Sequence, residues 1–141
     1  MQQFTILDKL ETEYNGTVKL TDAEAVYKEI QDIKDACKEI FVVFCLDTKN
    51  KVITRDIVTI GLLDASLVHP REIFRRAILV NSKSIILAHN HPSGDTKPSN
   101  EDIKVTKTLV EAGNLLNIKV RDHVIAGRDS FTSLKTEGFI S

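Results

Sequence analysis

The chain has 141 residues, of which 42% are hydrophobic and 28% charged, a composition typical of one globular domain with its own core. Its 19 basic and 20 acidic residues leave a net charge of −1, so the charge balance gives no sign of a nucleic-acid-binding surface. No apolar stretch approaches the roughly 20 residues of a membrane-spanning helix. The polar N-terminus also lacks the apolar region of a signal peptide, so we expect a cytoplasmic protein.

The first third of the chain predicts short strands followed by one helix. Residues 4–7 and residues 17–20 have strand-like patterns, and the turn-forming pair Asn15–Gly16 precedes the second of them. Thr21 and Glu24 then fit a capping box, which predicts a helix from about residue 21. Apolar residues recur on one face of this helix at spacings of three and four: Val26, Ile30, Ile33 and Cys37.

The next segment predicts a buried β-hairpin. Residues 40–46 are a continuous apolar run, rich in aromatic and β-branched side chains, which is typical of a strand buried on both faces. Residues 47–51 have turn-forming composition, and residues 52–61 predict an antiparallel partner strand. The two cysteines, Cys37 and Cys45, lie in apolar surroundings, and we expect two buried free thiols rather than a disulfide framework.

The second half of the chain alternates helices and strands. Pro70 suits the first position of a helix, where its missing N–H costs nothing. The buried stripe of that helix is expected at Ile73, Phe74, Ala77 and Ile78. A strand at 84–89, a loop at 92–98, a helix from Ser99 to a C-cap at about Gly113 and a strand at 118–126 follow. This order predicts an α/β fold of three layers, a mixed sheet with helices on both faces.

A candidate metal site lies where the strand at 84–89 meets the loop. His89 and His91 are two residues apart in extended chain, so both imidazoles can point to the same side and bind one zinc ion. Asp102, one turn into the next helix, is the expected third ligand, which leaves a fourth position for water as in catalytic zinc sites. Ser99 and Asp102 also fit a capping box, and one oxygen of Asp102 cannot serve both purposes. If Asp102 only caps the helix, Asp95 is the reserve ligand.

These residues carry a resemblance to a known family. Residues 89–102 match the signature H-x-H-x7-S-x2-D of the JAMM (MPN+, JAB-domain) metallopeptidases without a gap. Residues 88–103, AHNHPSGDTKPSNEDI, and residues 122–127, DHVIAG, resemble the RadC-like branch of that superfamily in particular. Shorter matches lie at residues 44–50 and 69–72. The resemblance covers about residues 36–141, which we predict to be the domain, and leaves residues 1–35 as an N-terminal extension.

The resemblance implies a fold, a metal and an activity. The fold is a three-layer α-β-α domain with a mixed sheet, similar to that of cytidine deaminases, and the metal is one catalytic zinc held by His89, His91 and Asp102. Related eukaryotic members hydrolyse isopeptide bonds to ubiquitin, whereas the RadC name comes from DNA repair. Longer RadC-like chains carry an N-terminal helix-hairpin-helix region that residues 1–35 do not resemble, so we expect weak, salt-sensitive DNA binding at most.

The resemblance also implies which side chains do the chemistry. The family has a glutamate upstream of its histidines that accepts a proton from the attacking water, and Glu39 is the similar position here. Glu39 could instead be a solvated charge, and Glu72, at a helix start that itself favours acidic residues, is the alternative base. By the same resemblance Ser99 stabilises the developing oxyanion. His123 is expected to be a satisfied core histidine, with a hydrogen bond to a zinc ligand as the alternative.

The sequence therefore predicts a zinc-dependent hydrolase that acts on peptide or isopeptide bonds of a peptide or protein substrate. The zinc nucleobase deaminases are excluded because the chain has no P-C-x-x-C motif and both cysteines precede the histidines. A non-catalytic accessory module, linked to DNA processing or repair or to protein docking, is the alternative. A catalytic centre keeps an exchangeable water within reach of Glu39, whereas a structural centre has a fourth protein ligand.

Overall fold

The structure, a computed structural model, describes residues 11–141. In this range the elements are β1 (Glu11–Glu13), α1 (Ala23–Glu29), β2 (Ile40–Leu46), β3 (Val52–Ile60), α2 (Pro70–Leu79), β4 (Ser84–Asn90), α3 (Asn100–Leu116), β5 (Lys119–Ala126) and β6 (Phe131–Ser133). The strand predicted at residues 4–7 lies outside the described residues. Among the residues described, no helix has the length and apolar character needed to cross a membrane.

The six strands form one open mixed sheet in the order β1-β3-β2-β4-β5-β6. β4 and β5 are parallel, and the other neighbouring pairs are antiparallel. Every residue of β2 and β4 is buried, because these central strands are covered on both faces. The predicted α/β fold with a mixed sheet is confirmed, and so is the hairpin that joins β2 to β3.

Two hydrophobic cores lie on opposite faces of this sheet, since successive strand residues point in opposite directions. On one face Phe41 belongs to the core that contains Phe74 of α2 and Leu109 of α3. On the other face Phe44 belongs to the core that contains Val26 of α1. Burying one such side chain contributes about 1.5–3 kcal/mol, so the two cores hold the three layers together.

The start of α1 differs from the prediction. Asp22, not Thr21, is the N-cap, and its Oδ1 accepts a hydrogen bond from Ala25 N at 2.8 Å. Ala25 stands at the third helical position, where a capping box needs Glu or Gln, so Asp22 caps α1 alone and the predicted box of Thr21 and Glu24 is wrong. The strand expected before the helix is reduced to an isolated bridge between Lys19 and Lys51.

The end of α1 also differs from the prediction, because the helix stops at Glu29. Turns follow, in which Ile33 N donates to Ile30 O and Ala36 N donates to Ile33 O. These turns keep a three-residue spacing, so Ile30 and Ile33 are fully buried although they are not helical. Cys37 lies beyond the turns and is exposed, which corrects the expectation that both thiols are buried; Cys45 is buried.

In the second half of the chain, Gly113 does not end the last helix. α3 continues to Leu116, and Asn117, with φ of 59°, is the left-handed C-cap. Gly113 serves close packing instead, since a Cβ atom there would lie 2.4 Å from the carbonyl oxygen of Ile118. Ile78 is 55% exposed, so the buried stripe of α2 is narrower than predicted. The short strand β6 was not predicted.

Candidate metal centre

Four polar side chains meet at the edge of the sheet where β4 ends. His89 is the penultimate residue of β4, His91 directly follows the strand, and Asp102 lies in the first turn of α3. Glu39 directly precedes β2, which runs antiparallel to β4 with Phe41 paired to His89, so the start of β2 lies beside the end of β4. One potential ligand atom from each of these four residues lies within 4.8 Å of the others.

The distances within this cluster are short. Asp102 places Oδ1 at 3.2 Å from His89 Nε2 and Oδ2 at 3.1 Å from His91 Nε2. The two Nε2 atoms are 3.0 Å apart, and Glu39 Oε1 is 4.0 Å from His89 Nε2. The side chains of His89 and Asp102 are 0% and 1% exposed, whereas Glu39 is 15% exposed. The cluster therefore has an enclosed floor and opens on the side of Glu39.

Asp102 caps its helix and faces the histidines at the same time. Its Oδ2 accepts a hydrogen bond from Ser99 N at 2.8 Å, and Ser99 Oγ accepts one from Asp102 N at 3.0 Å. This is a complete capping box. Oδ1 takes no part in the cap and points to His89. The two interpretations of Asp102 are therefore compatible, because Oδ2 accepts the capping hydrogen bond while Oδ1 stays available to a metal ion.

The loop after β4 fixes the orientation of His91. Its Nδ1 lies 2.7 Å from the main-chain oxygen of Asp95. A carbonyl oxygen can only accept, so Nδ1 carries the hydrogen, and in the neutral ring Nε2 presents a lone pair to Asp102. The Asp95 side chain is exposed and accepts from Lys97 N at 3.0 Å. The structure thus brings the Asp95 carbonyl to the site but not its carboxylate, which had been considered as a reserve ligand.

The electrostatics of the cluster favour a positive charge between its members. Burial acts to raise the pKa of Asp102, but its contacts with His89 and His91 hold that pKa well below the usual carboxyl range. Burial acts to lower the pKa of His91, but Asp102 and the Asp95 carbonyl outweigh it and raise that pKa above the ordinary value. An ionised carboxylate beside imidazole nitrogens is also an environment that attracts a divalent cation.

The residues fit a metal ion in both donor type and spacing. Two imidazole nitrogens and one carboxylate oxygen form the kind of three-ligand set found in catalytic zinc sites. Ligand atoms at ~2.0–2.1 Å from a tetrahedral ion lie about 3.3 Å from one another. The two Nε2 atoms are 3.0 Å apart, and Asp102 approaches the two rings with different oxygens, Oδ2 to His91 at 3.1 Å and Oδ1 to His89 at 3.2 Å. One donor atom from each residue is therefore close enough to the others for the three to surround one ion.

A family model for the RadC-like JAB domain matches residues 20–139. The chain belongs to the RadC-like JAB domain family. A UPF0758 protein of Methanosarcina barkeri is 52% identical over 108 residues, which are 77% of this chain and 47% of that protein. A UPF0758 protein of Caldanaerobacter subterraneus is 53% identical over 78% of this chain and 47% of its own length. One of a Geobacillus species is 47% identical over 90% of this chain and 57% of its own length. The chain spans about half the length of the curated relatives it matches.

A cleft of about 730 Å³ adjoins the candidate metal site of this RadC-like JAB domain. Glu39, His91 and Ser99 line it, together with Leu62 and other residues. Glu72, considered as the alternative base, is exposed on α2 and is not among the cleft residues. Of the two candidate bases, the structure therefore brings Glu39 to the cluster.

Asn90, which lies between the two histidines, was missed by the sequence analysis. Its side chain is fully buried and clamps the chain on both sides of Glu39. Oδ1 accepts from Ile40 N at 2.7 Å, and Nδ2 donates to Lys38 O at 3.0 Å and to Ala36 O at 3.3 Å. A buried asparagine between two candidate ligands was a usable signal, but its partners lie about 50 residues away in the chain.

Behind His89 lie His123, for which the sequence left a contact with a ligand histidine as the alternative, and Thr106, which the sequence analysis missed. His123 of β5 is fully buried, as expected of a core histidine, and one of its partners is His89. Thr106 contacts the other side of the His123 ring. Thr106 is four residues after Asp102, so it lies on the same face of α3, and this spacing was the available signal. Burial lowers the pKa of His123 well below its ordinary value.

Proposed function

We propose that this RadC-like JAB domain is a zinc-dependent hydrolase of peptide or isopeptide bonds in a peptide or protein substrate. The observation that carries the proposal is the convergence of Glu39, His89, His91 and Asp102 within 4.8 Å beside an open cleft. His89, His91 and Asp102 would hold the metal, and Glu39 would act as the general base. Membership of the family supports the donor set, while the choice of zinc follows from its chemistry.

Each residue has a task that its position suits. A bound zinc ion would supply Lewis acidity, lowering the pKa of a water ligand towards about 7 and polarising a carbonyl oxygen. Glu39 accepts a proton from the attacking water and returns it to the leaving nitrogen, for which its partly exposed carboxylate at the cleft is suited. The hydroxyl of Ser99 accepts from Asp102 N, and its own hydrogen can be donated to the developing oxyanion.

One observation favours the rival, a metal centre without catalysis. Glu39 Oε1 is only 4.0 Å from His89 Nε2, so a small movement would make Glu39 a fourth protein ligand. A site closed in that way has no position for water, which is the pattern of structural zinc. The two functions therefore differ in whether Glu39 binds the metal or accepts a proton from the attacking water.

The substitution Glu39→Gln separates them. Glutamine keeps the size and can hydrogen-bond water, but it cannot accept a proton. We expect Glu39→Gln to retain the zinc of the wild-type protein and to lose cleavage by ~10²–10⁴-fold, the usual cost of losing a general base. Cleavage is measured by mass spectrometry, as new amino termini in a proteome-derived peptide library and as freed lysine side chains in isopeptide-linked peptides. Zinc is measured by elemental analysis.

Glu72→Gln is the matched control, because Glu72 is an exposed glutamate outside the cleft. It should cleave at the wild-type rate and lose only a few tenths of a kcal/mol of helix-dipole stabilisation. Loss of zinc from Glu39→Gln would instead identify Glu39 as a ligand and favour the structural centre. A zinc-loaded wild-type protein that generates no new amino termini and frees no lysine side chain from an isopeptide-linked peptide would contradict the hydrolase.

A further inference from the structure

Behind the metal cluster, a chain of buried hydrogen bonds connects Asp102 to His89 by a second route. Thr106 Oγ1 lies 2.7 Å from the main-chain oxygen of Asp102 and 2.6 Å from His123 Nδ1. His123 Nε2 lies 2.8 Å from His89 Nδ1. The exposed fractions of Thr106, His123 and His89 are 1%, 0% and 0%. Two of the proposed ligands are therefore linked through two residues that face away from the metal position.

The direction of these hydrogen bonds follows from which atoms can donate a hydrogen and which can only accept one. The Asp102 carbonyl can only accept, so the Thr106 hydroxyl gives it the one hydrogen it has. The hydroxyl must then accept from His123 Nδ1–H. A neutral imidazole carries one ring hydrogen, so His123 Nε2 accepts from His89 Nδ1–H. In its neutral form His89 then has its lone pair on Nε2, the atom that faces Asp102 at 3.2 Å.

The opposite direction would be costly. If Thr106 gave its hydrogen to His123, two oxygens would lie 2.7 Å apart with no hydrogen between them. If His123 carried a hydrogen on both nitrogens, a cation would be fully buried between a hydroxyl and an imidazole. An ionised group in such surroundings carries a large desolvation cost without a carboxylate partner.

We propose that Thr106 and His123 are positioning residues, which hold His89 in the Nδ1–H tautomer and so keep its Nε2 ready to bind a divalent cation. This inference rests on the proposed function for the identity of the metal, but the tautomer itself is a property of the metal-free protein. Hydrogen-bond partners of ligand histidines commonly change metal affinity by ~10–100-fold. Here the hydrogen bonds run from His89 through two residues, His123 and Thr106, and end on the main-chain oxygen of Asp102, another proposed ligand.

The test compares Thr106→Val with Thr106→Ser. Valine keeps the volume and removes the hydroxyl, whereas serine restores the hydroxyl. Thr108→Val is the matched control, because Thr108 is exposed on the same helix. Tautomers of His89 and His123 are read in metal-free protein by long-range ¹H–¹⁵N NMR, and zinc affinity is measured by competition with a chromophoric chelator.

We expect His89 to be the Nδ1–H tautomer in the wild-type protein, in Thr106→Ser and in Thr108→Val. Thr106→Val should shift His89 towards Nε2–H and weaken zinc binding by ~10–100-fold. Unchanged tautomer and affinity in Thr106→Val would overturn the inference. If that variant does not fold, a wild-type His89 found with its hydrogen on Nε2 would overturn it equally. A wild-type protein that binds no zinc but shows the Nδ1–H tautomer would contradict the proposed function and still support the inference about how Thr106 and His123 position His89.

Discussion

Two buried carboxylates in this protein have opposite surroundings. The side chains of Asp102, in α3, and Asp56, in β3, are 1% and 13% exposed. Asp102 receives a hydrogen bond from Ser99 N and faces two imidazoles, and its pKa lies well below the usual range. In the described part of the chain the Asp56 oxygens make no hydrogen bond, and Arg76 Nε stands 3.4 Å away. Burial raises the pKa of Asp56 to about 6, with Arg76 opposing and Glu11 adding to the effect.

The comparison shows that burial alone does not mark a functional carboxylate. Burial acts to raise the pKa of both groups, and the difference comes from the number of donors and where they point. Around Asp102 the polar atoms converge on one point, which is the arrangement that a metal ion requires. Asp56 and Arg76 form a loosely matched ion pair, whose desolvation cost is poorly repaid. The first region is arranged for binding, and the second is expected to affect stability alone.

Among the substitutions that test this comparison, we expect the largest effect from Asn90→Ala, which lies beside the candidate metal site. The substitution removes the clamp on the backbone around Glu39 and leaves Ile40 N, which is buried, without its acceptor. We expect cleavage to fall by about 100-fold through misplacement of the base, with zinc retained. The free energy of unfolding should fall by about 1–3 kcal/mol. Cleavage of the same peptide library and urea denaturation measure both effects.

The control for that substitution is Asn114→Ala, because Asn114 is an exposed asparagine within α3. It should leave both cleavage and zinc content at wild-type values. Wild-type cleavage by Asn90→Ala would show that the clamp does not position Glu39.

A smaller, pH-dependent effect is expected from Asp56→Asn. A carboxyl whose folded-state pKa of about 6 exceeds the unfolded value stabilises the fold at low pH, and this stability is lost as the pH rises through about 6. The loss is on the order of 2–3 kcal/mol, from about 1.36 kcal/mol per pKa unit above an unfolded value of ~3.9. Asparagine does not ionise, so relative to wild type Asp56→Asn should gain that amount between about pH 4 and about pH 8.

Urea denaturation at the two pH values measures this gain. Asp129→Asn, at an exposed position in the turn before β6, is the control and should show little pH-dependent difference. Zinc content should be unchanged in Asp56→Asn, because Asp56 is not among the side chains of the candidate metal site. An equal difference in stability at both pH values would mean that Asp56 is not the strained carboxylate of this comparison.

The sequence predicted those features whose signal is local. His89, His91 and Asp102 lie within 14 consecutive residues. Their convergence therefore follows from one strand end, the loop after it and the start of the next helix. The β2–β3 hairpin was predicted because a buried apolar run meets turn chemistry, and Asp47 Oδ1 indeed accepts from Lys49 N and Lys51 N. Glu39 was suggested by resemblance, and the antiparallel pairing of β2 with β4 brings it to the cluster.

The remaining features depend on contacts between distant parts of the chain. Thr106 meets His123 because α3 packs against β5, and His123 meets His89 because β5 pairs in parallel with β4. A pattern within any one of these elements does not specify either contact. The clamp formed by Asn90 likewise needs β2 beside β4. The end of α1 was placed too late because Ile30 and Ile33 keep an apolar three-residue spacing through turns. A helix and a series of turns can bury residues at the same spacing, so the sequence pattern does not distinguish the two structures.

Zinc content of the purified protein and two aspartate variants tests the central claim most directly. The wild-type protein is expected to carry about one zinc per chain. Asp102→Ala should lose it, whereas Asp95→Ala should keep it, because Asp95 contacts His91 through its main-chain oxygen. Circular dichroism on each variant confirms that the fold is retained without the Asp102 cap. An Asp102→Ala protein as rich in zinc as the wild type would contradict the account, and loss of zinc from Asp95→Ala in its place would make Asp95 the ligand.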